Sequence, residues 1–111
     1  MFERGDLLLV PFPFSDLSAT KRRPILALTA PDAHGDFIAL AVTSRPHLAH
    51  TIPLAQTDLV QGALPVASYV RTDRIVTLNT SIVIRVFGQV EERVVADVVQ
   101  RFCAHIGYPP R

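Results

Sequence analysis

Three polar groups interrupt an otherwise apolar chain, and each stands where a strand begins or ends. Lys21-Arg22-Arg23 runs directly into the apolar stretch PILALT, so Arg23 immediately precedes Pro24. Thr43-Ser44-Arg45 closes the apolar stretch FIALAV. Ser68-Tyr69-Val70-Arg71-Thr72-Asp73 opens a third, with Arg71 and Asp73 two residues apart, hence on one strand face and able to pair. The planar fork of a guanidinium suits phosphate, because it bonds two oxygens at once. Hydroxyls at a strand end sit where a scaffold fixes the backbone and a loop supplies variation. Each group also has a plain structural reading: a solvated basic loop, a strand terminus whose hydroxyls bond the backbone, and an Arg71–Asp73 ion pair. By themselves the residues mark basic and hydroxyl sites at strand ends of a small β domain.

Other chemistries find little support. The chain has no G-x-x-x-x-G-K-S/T loop, no G-x-G-x-x-G after a strand, no H-E-x-x-H and no C-x-x-C, so neither a nucleotide cofactor nor a tightly held metal is expected. His47 and His50 lie three apart in a Pro-containing loop and would need distant residues to complete a metal site. His34 falls in a predicted hairpin turn and His105 at a helix end, both ordinary solvent positions. The lone Cys103 rules out an internal disulfide and a Cys-rich zinc site; on the apolar stripe of a helix it reads as a buried, inert thiol.

The elements that must carry these groups follow from the hydropathy pattern. Residues 6–12 (DLLLVPF), 24–29 (PILALT), 37–43 (FIALAVT), 68–78 and 82–90 read as strands, with a further short candidate at 51–54. Pro31, Asp32, Gly35 and Asp36 are hairpin punctuation, residues 13–23 form a polar connection, and 44–67 is the loop-rich middle. Both alternating faces of the strands are apolar, so something must cover each side: a curled sheet or barrel backed by a helix, or a second subunit. After Gln89 the period changes, with Val94, Val95, Val98, Val99, Phe102 and Ile106 at helical spacing and Gly107, Pro109 and Pro110 as a stop. A helix over about 91–106 is expected. The fold class is mainly β, a small barrel of five to six mostly antiparallel strands with a C-terminal helix.

Length and composition bound the rest. A chain of 111 residues is one domain, 1–111, and 49% hydrophobic against 19% charged residues is enough for a core and too apolar for wholesale disorder. No run approaches the ~18 apolar residues of a membrane span, and MFERGD does not resemble a secretory signal, so a cytoplasmic location is expected. Eleven basic and ten acidic residues leave a net charge of +1, which gives no general pull toward nucleic acid and points to a local groove instead of a broad basic face. Ten of the eleven basic residues are Arg and only Lys21 is Lys.

Taken in order, the segments Gly5-Asp6, LLLVPFPFSDLS, KRRPILALT, AVTS and SYVRTDRIVTL resemble the MazF/PemK family of toxins from type II toxin–antitoxin systems. The likeness rests on the GD start, the K-x-RP-x-L-x-L strand, the hydroxyl-ended A-x-T-S strand and the S-x-V-R-x-D-x-I strand, the last matched at Ser68, Val70, Arg71, Asp73 and Ile75. It extends over residues 3–106. The segment PFPFSDLS places the chain in the PemK-like branch, since better-known members carry a differently built loop there.

The resemblance implies an SH3-like small barrel assembled as a homodimer, metal-independent and cofactor-free cleavage of single-stranded RNA at short sequences, and a cognate antitoxin protein. Carried over by position, the family's catalytic arginine falls on Arg23 and its catalytic threonine on Thr43. The family's chemistry is attack of a ribose 2′-hydroxyl on the adjacent phosphorus. Lys21, Arg22, Ser44 and Arg45 are then candidates for contacts to the RNA backbone, while Phe14 reads either as buried under its loop or as a platform for stacking a base. Arg23 is charged at all relevant pH and Thr43 is no base, so His47 and His50, four and seven residues past Thr43, are candidates for acid–base assistance. Two other readings stay open: a CcdB-type toxin of the same fold that poisons DNA gyrase, and a non-catalytic dimeric interaction module.

Overall fold

The computed structural model describes residues 2–12, 21–46 and 48–110. Among them run seven strands and one helix: β1 Asp6–Phe12, β2 Lys21–Ala27, β3 Asp36–Thr43, β4 Thr51–Leu54, β5 Leu59–Gly62, β6 Ser68–Asn79, β7 Arg85–Val90 and α1 Glu92–His105. The strands form a single sheet in the order β4-β6-β3-β2-β1-β7-β5, and every neighbouring pair is antiparallel. The sheet curls into a half-barrel with α1 on one face.

The double apolarity of the strands is explained by two separate cores. On the helix side Leu7, Leu26, Leu40, Val42 and Val70 pack against Val95 and Val98 of α1. On the other side Leu8, Val10, Ile25, Ala27, Phe37 and Ala39 form a second cluster, closed by Phe2, Ile82 and Val83. Phe2 meets Phe37 edge to face at 4.6 Å between ring centroids. The central strands β1, β2 and β3 thus feed both cores.

The Gly-Asp pair that opens β1 is a junction. Gly5 adopts φ +93°, its N–H donates to the Ala27 carbonyl and its own carbonyl accepts from the Val90 N–H, both at 2.8 Å. A Cβ there would meet Val90 O at 3.1 Å, so glycine satisfies both the backbone angle and the space. The buried Asp6 carboxylate accepts from the Glu3 N–H at 3.0 Å and the Gln89 amide at 3.3 Å. The start of β1 is thereby tied to β2 and β7.

The hairpin between β2 and β3 follows its punctuation: Asp32 Oδ1 accepts from the N–H groups of His34 and Asp36, each at 2.9 Å. The helix ends where its sequence stops it. The Tyr108 N–H closes on the Cys103 carbonyl at 2.8 Å past Gly107. Cys103 is half-buried, because α1 rests on the sheet with the narrower Val95/Val98 line and leaves the flank of its apolar stripe partly open.

Three details differ from the sequence reading. The sheet has seven strands where five or six were expected: β5, LVQG, is a short edge strand with three exposed residues, too little pattern to stand out from the loop-rich middle. Strand β2 begins at Lys21 and not at Pro24, because β1 extends to Phe12 and pairs the basic residues that read as loop. Strand β7 begins at Arg85, since Thr80–Ile82 form a 3-10 turn capped by Asn79, whose Oδ1 accepts from the Ser81 N–H.

Candidate functional site: where two strands part

The β2–β3 ladder runs from Ala27–Ala39 to Ile25–Ala41 and stops. The next residue of β2 is Pro24, which has no N–H to donate. Beyond it β2 stays paired with β1 as far as Phe12–Lys21, while β3 stays paired with β6 as far as Thr43–Tyr69. The two central strands therefore diverge, and in the same register Arg23 falls opposite Thr43 across the gap. Arg23 shares its strand face with Ile25 and Ala27, and Thr43 shares its own with Phe37 and Ala39. Both are half-buried, and Arg23 Nε is fully enclosed.

Space opens on both sides of this wedge. One opening is a groove of about 1040 Å³ that Arg22, Thr43 and Ser44 share with Gln61, Val66 and Arg85 from the β5 and β7 side. The other is a cleft of about 150 Å³ bounded by Arg23, Thr43, Arg45, Arg71 and Arg74 over an apolar floor that includes Ile25 and Ala41. Arg23, Pro24, Val42 and Thr43 line both, so they form the rim between them. The Thr43 hydroxyl oxygen accepts from the Arg45 N–H at 3.1 Å, which orients the side chain and leaves its own proton to be donated elsewhere.

A break in register supplies the far wall of the cleft. Leu40 pairs with Ile75 and Val42 with Val70, so four residues of β6, Arg71 to Arg74, stand opposite the single Ala41. Such bulges re-aim side chains beside functional sites. This one is anchored by buried Thr72, whose N–H and hydroxyl both donate to the His50 carbonyl, at 2.9 and 3.0 Å. His50 holds that carbonyl in place with φ 59°. Arg71 is fixed by a two-pronged bond to Asp73, at 2.9 and 3.0 Å, the pairing expected from their spacing. The bond from Arg71 holds the Asp73 carboxyl below the usual carboxylate range, and the same bond raises the Arg71 guanidinium further.

The structure gathers most of the residues the sequence singled out. Arg22, Arg23, Thr43 and Ser44 line the groove, and Arg45 lines the cleft. His50 lines neither opening; its ring packs edge-on against His105, with centroids 4.1 Å apart. Phe14, His47 and the side chain of Lys21 lie outside the described residues. Ser68 is buried, its hydroxyl donating to the Val66 carbonyl at 2.9 Å. Two residues escaped the sequence reading. Arg74 reaches the cleft only through the bulge; Arg85 faces the groove and was signalled only as a charge inside the apolar run IVIRVF. Among the described residues no three His, Cys, Asp or Glu side chains converge as metal ligands would.

A half-barrel of this order with one helix has solved counterparts. It superposes on an endoribonuclease in complex with its cognate antitoxin from a mycobacterial species with TM-score 0.75, 19% identity and full coverage of both chains. It superposes on MazF of a MazE–MazF crystal structure from Deinococcus radiodurans with TM-score 0.76, 22% identity and 96% of each chain covered. A mycobacterial endoribonuclease solved by itself matches at TM-score 0.71 and 19% identity over 98% of this chain and 94% of that one. At such identities the likeness establishes the fold. No curated protein sequence matches the chain. The family model described as PemK-like, MazF-like toxin of type II toxin–antitoxin system matches residues 3–106. The chain belongs to that toxin family.

Proposed function

We propose that this toxin is a metal-independent endoribonuclease that cleaves single-stranded RNA, with Arg23 and Thr43 as catalytic residues. The observation that carries the reading is their placement: opposite each other where the β2–β3 ladder ends, on the rim shared by both openings. In the reaction the 2′-oxygen of a ribose forms a bond to the adjacent phosphorus while the bond from phosphorus to the 5′-oxygen breaks. The 2′-hydroxyl loses its proton and the departing 5′-oxygen gains one, leaving a cyclic phosphate and a 5′-hydroxyl.

Negative charge accumulates on the phosphate oxygens in the transition state, and preorganised donors aimed at it are the largest catalytic contribution in such sites. The Arg23 fork supplies two charged donors and the Thr43 hydroxyl a neutral one. Proton transfer at the 2′- and 5′-oxygens lies outside what these two residues supply, and the role of His47 and His50 there is read from the rates of their alanine variants. Lys21, Arg22, Ser44 and Arg45 hold the RNA backbone in this reading. Sequence-specific RNA readers take unstacked single strands, which suits a groove and not a flat basic face.

The toxin family and the endoribonuclease and antitoxin relatives support the activity, a cytoplasmic location, a homodimer and a cognate antitoxin as partner. An acidic segment of that partner folding over the rim would exclude RNA. The test incubates the protein and Arg23→Ala with mixed-sequence single-stranded RNA in excess EDTA. Wild type cuts and leaves 5′-hydroxyl ends, and Arg23→Ala loses at least about a hundredfold in rate. Absence of cleavage by wild type sinks the reading and returns the question to a gyrase poison or an interaction module.

A further inference from the structure

The cleft on the far side of the rim brings Arg71 and Arg74, which the catalytic reading does not use, beside Arg23, Thr43 and Arg45. Four arginines, Arg23, Arg45, Arg71 and Arg74, line it with Thr43; among the described residues no carboxylate lines it, and Asp73 pairs with Arg71 from behind. The remaining lining is apolar and includes Pro24, Ile25, Leu48 and Val76. At about 150 Å³ against about 1040 Å³ for the groove it is the smaller opening, large enough for a phosphate group. Guanidinium forks beside an apolar floor offer an anion charge-assisted hydrogen bonds in a partly dry setting, where they are stronger than on an open surface.

The cleft is built and not accidental. Arg71 and Arg74 reach it because four residues of β6 bulge opposite Ala41, and buried Thr72 locks that bulge to the His50 carbonyl with two hydrogen bonds. Asp73 stands behind Arg71 and fixes its fork. Arg45 is brought in by the turn in which its N–H donates to Thr43 Oγ1. Three independent local devices thus converge on one small space that adjoins Arg23 and Thr43.

We propose that this cleft is a subsite for the RNA phosphate next to the scissile one, gripped by Arg45 and Arg74 with Arg71 as a pre-set third donor. The proposal rests on the ribonuclease reading for the identity of the chain it binds. The phosphates of a strand follow one another along the backbone, so a strand whose scissile phosphate lies on the rim carries its neighbour into one of the two openings. The wide groove offers the larger space to ribose and base; the small, arginine-lined cleft suits the charged group. Arg45 and Arg74 are positioning residues that hold the strand in register with Arg23 and Thr43.

The test measures binding and cleavage separately, in wild type, Arg45→Met/Arg74→Met and the control Arg101→Met on the exposed flank of α1. Binding is read by fluorescence anisotropy on a mixed-sequence RNA with 2′-O-methyl riboses throughout, which no 2′-hydroxyl attack can cut. Loss of hydrogen bonds to a charged group weakens binding on the order of tenfold to a hundredfold in the double variant. The slope of log K against log salt becomes shallower by about 0.7, the share of one phosphate in a single strand. The control matches wild type. In cleavage assays KM rises by more than kcat falls. A neutral methylphosphonate at one of the two linkages flanking the mapped cut weakens wild type and adds nothing to the double variant.

Equal RNA binding by wild type and the double variant overturns the subsite. So does a neutral linkage that weakens both proteins alike. If RNA binding is unchanged while binding of polyglutamate weakens, the cleft belongs to carboxylates and the proposal falls. Wild type that binds RNA through these arginines but never cuts it sinks the ribonuclease reading and with it the register next to a scissile phosphate, leaving a cleft that binds backbone phosphate. Wild type that neither binds nor cuts overturns both.

Discussion

The two faces of the sheet use the same strands for opposite ends. Under α1, Leu7, Leu26, Leu40, Val42 and Val70 meet Val95 and Val98, and every one of these side chains is buried. On the other face the apolar cluster around Phe37 and Ile25 gives way, at the end where β2 and β3 part, to Arg23, Thr43, Arg71 and Arg74. One residue along a strand changes the side, so Leu26 and Arg23, three residues apart, lie on opposite faces of β2. Packing holds the first face together. The second face is packed around its own cluster over much of its area and carries charge only where β2 and β3 part. Stability and chemistry should therefore separate between the helix-side core and the rim.

The largest effect expected from that separation is on the helix side. Leu26→Ala removes a fully buried side chain and leaves a cavity, at about 2 to 5 kcal/mol, and lowers the Tm by about 10 °C or more. Thermal unfolding and the cleavage rate at a temperature where both proteins remain folded check it. A loss of rate per folded molecule as large as the loss of stability would break the separation. Next comes Thr43→Val, which keeps shape and removes the hydroxyl. Cleavage falls about a hundredfold, as when one transition-state donor is lost, while stability changes by less than about 1 kcal/mol. A variant that keeps its rate takes Thr43 out of the chemistry.

The smallest effect belongs to the Arg71–Asp73 bond. The Asp73 carboxyl is held below its ordinary value by that bond, so its contribution is present above the unfolded carboxylate pKa of about 3.9 and is lost as pH falls through the lower folded value. Its side chains are 23% and 28% exposed, which keeps the contribution below about 1 kcal/mol. Urea midpoints of wild type and Asp73→Asn measured between pH 7 and pH 2 should differ at the upper end and converge at the lower. A gap that widens on acidification would show that Asp73 is not stabilised as an anion. Comparing the two proteins cancels Glu92, whose carboxyl is also lowered, by Arg4.

Much of the fold was legible because its signals are local. The strands at 6–12 and 51–54 coincide with β1 and β4, and the helix over about 91–106 differs from α1 by a residue at each end. Alternation and helical period depend on neighbours in the chain, as do the stops at Gly35 and Gly107. Strand β5 was illegible for the converse reason: four residues without alternation become a strand only because β7 offers an edge to pair with.

The candidate site divides in the same way. Arg23 and Thr43 were marked by position next to Pro24 and at the end of an apolar strand, and the Arg71–Asp73 pair by its spacing of two. Arg74 had no such mark, and neither did the wall that Arg85 adds to the groove. Residue types and local order thus determined that there would be a β half-barrel, a closing helix, and basic and hydroxyl groups at strand ends. Only the tertiary structure decided that these ends meet on one rim with two openings. That outcome depends on where the β2–β3 ladder stops and on a β6 register that shifts between Leu40 and Val42. Register between strands far apart in sequence is set by the packing of all of them together, which no single segment records.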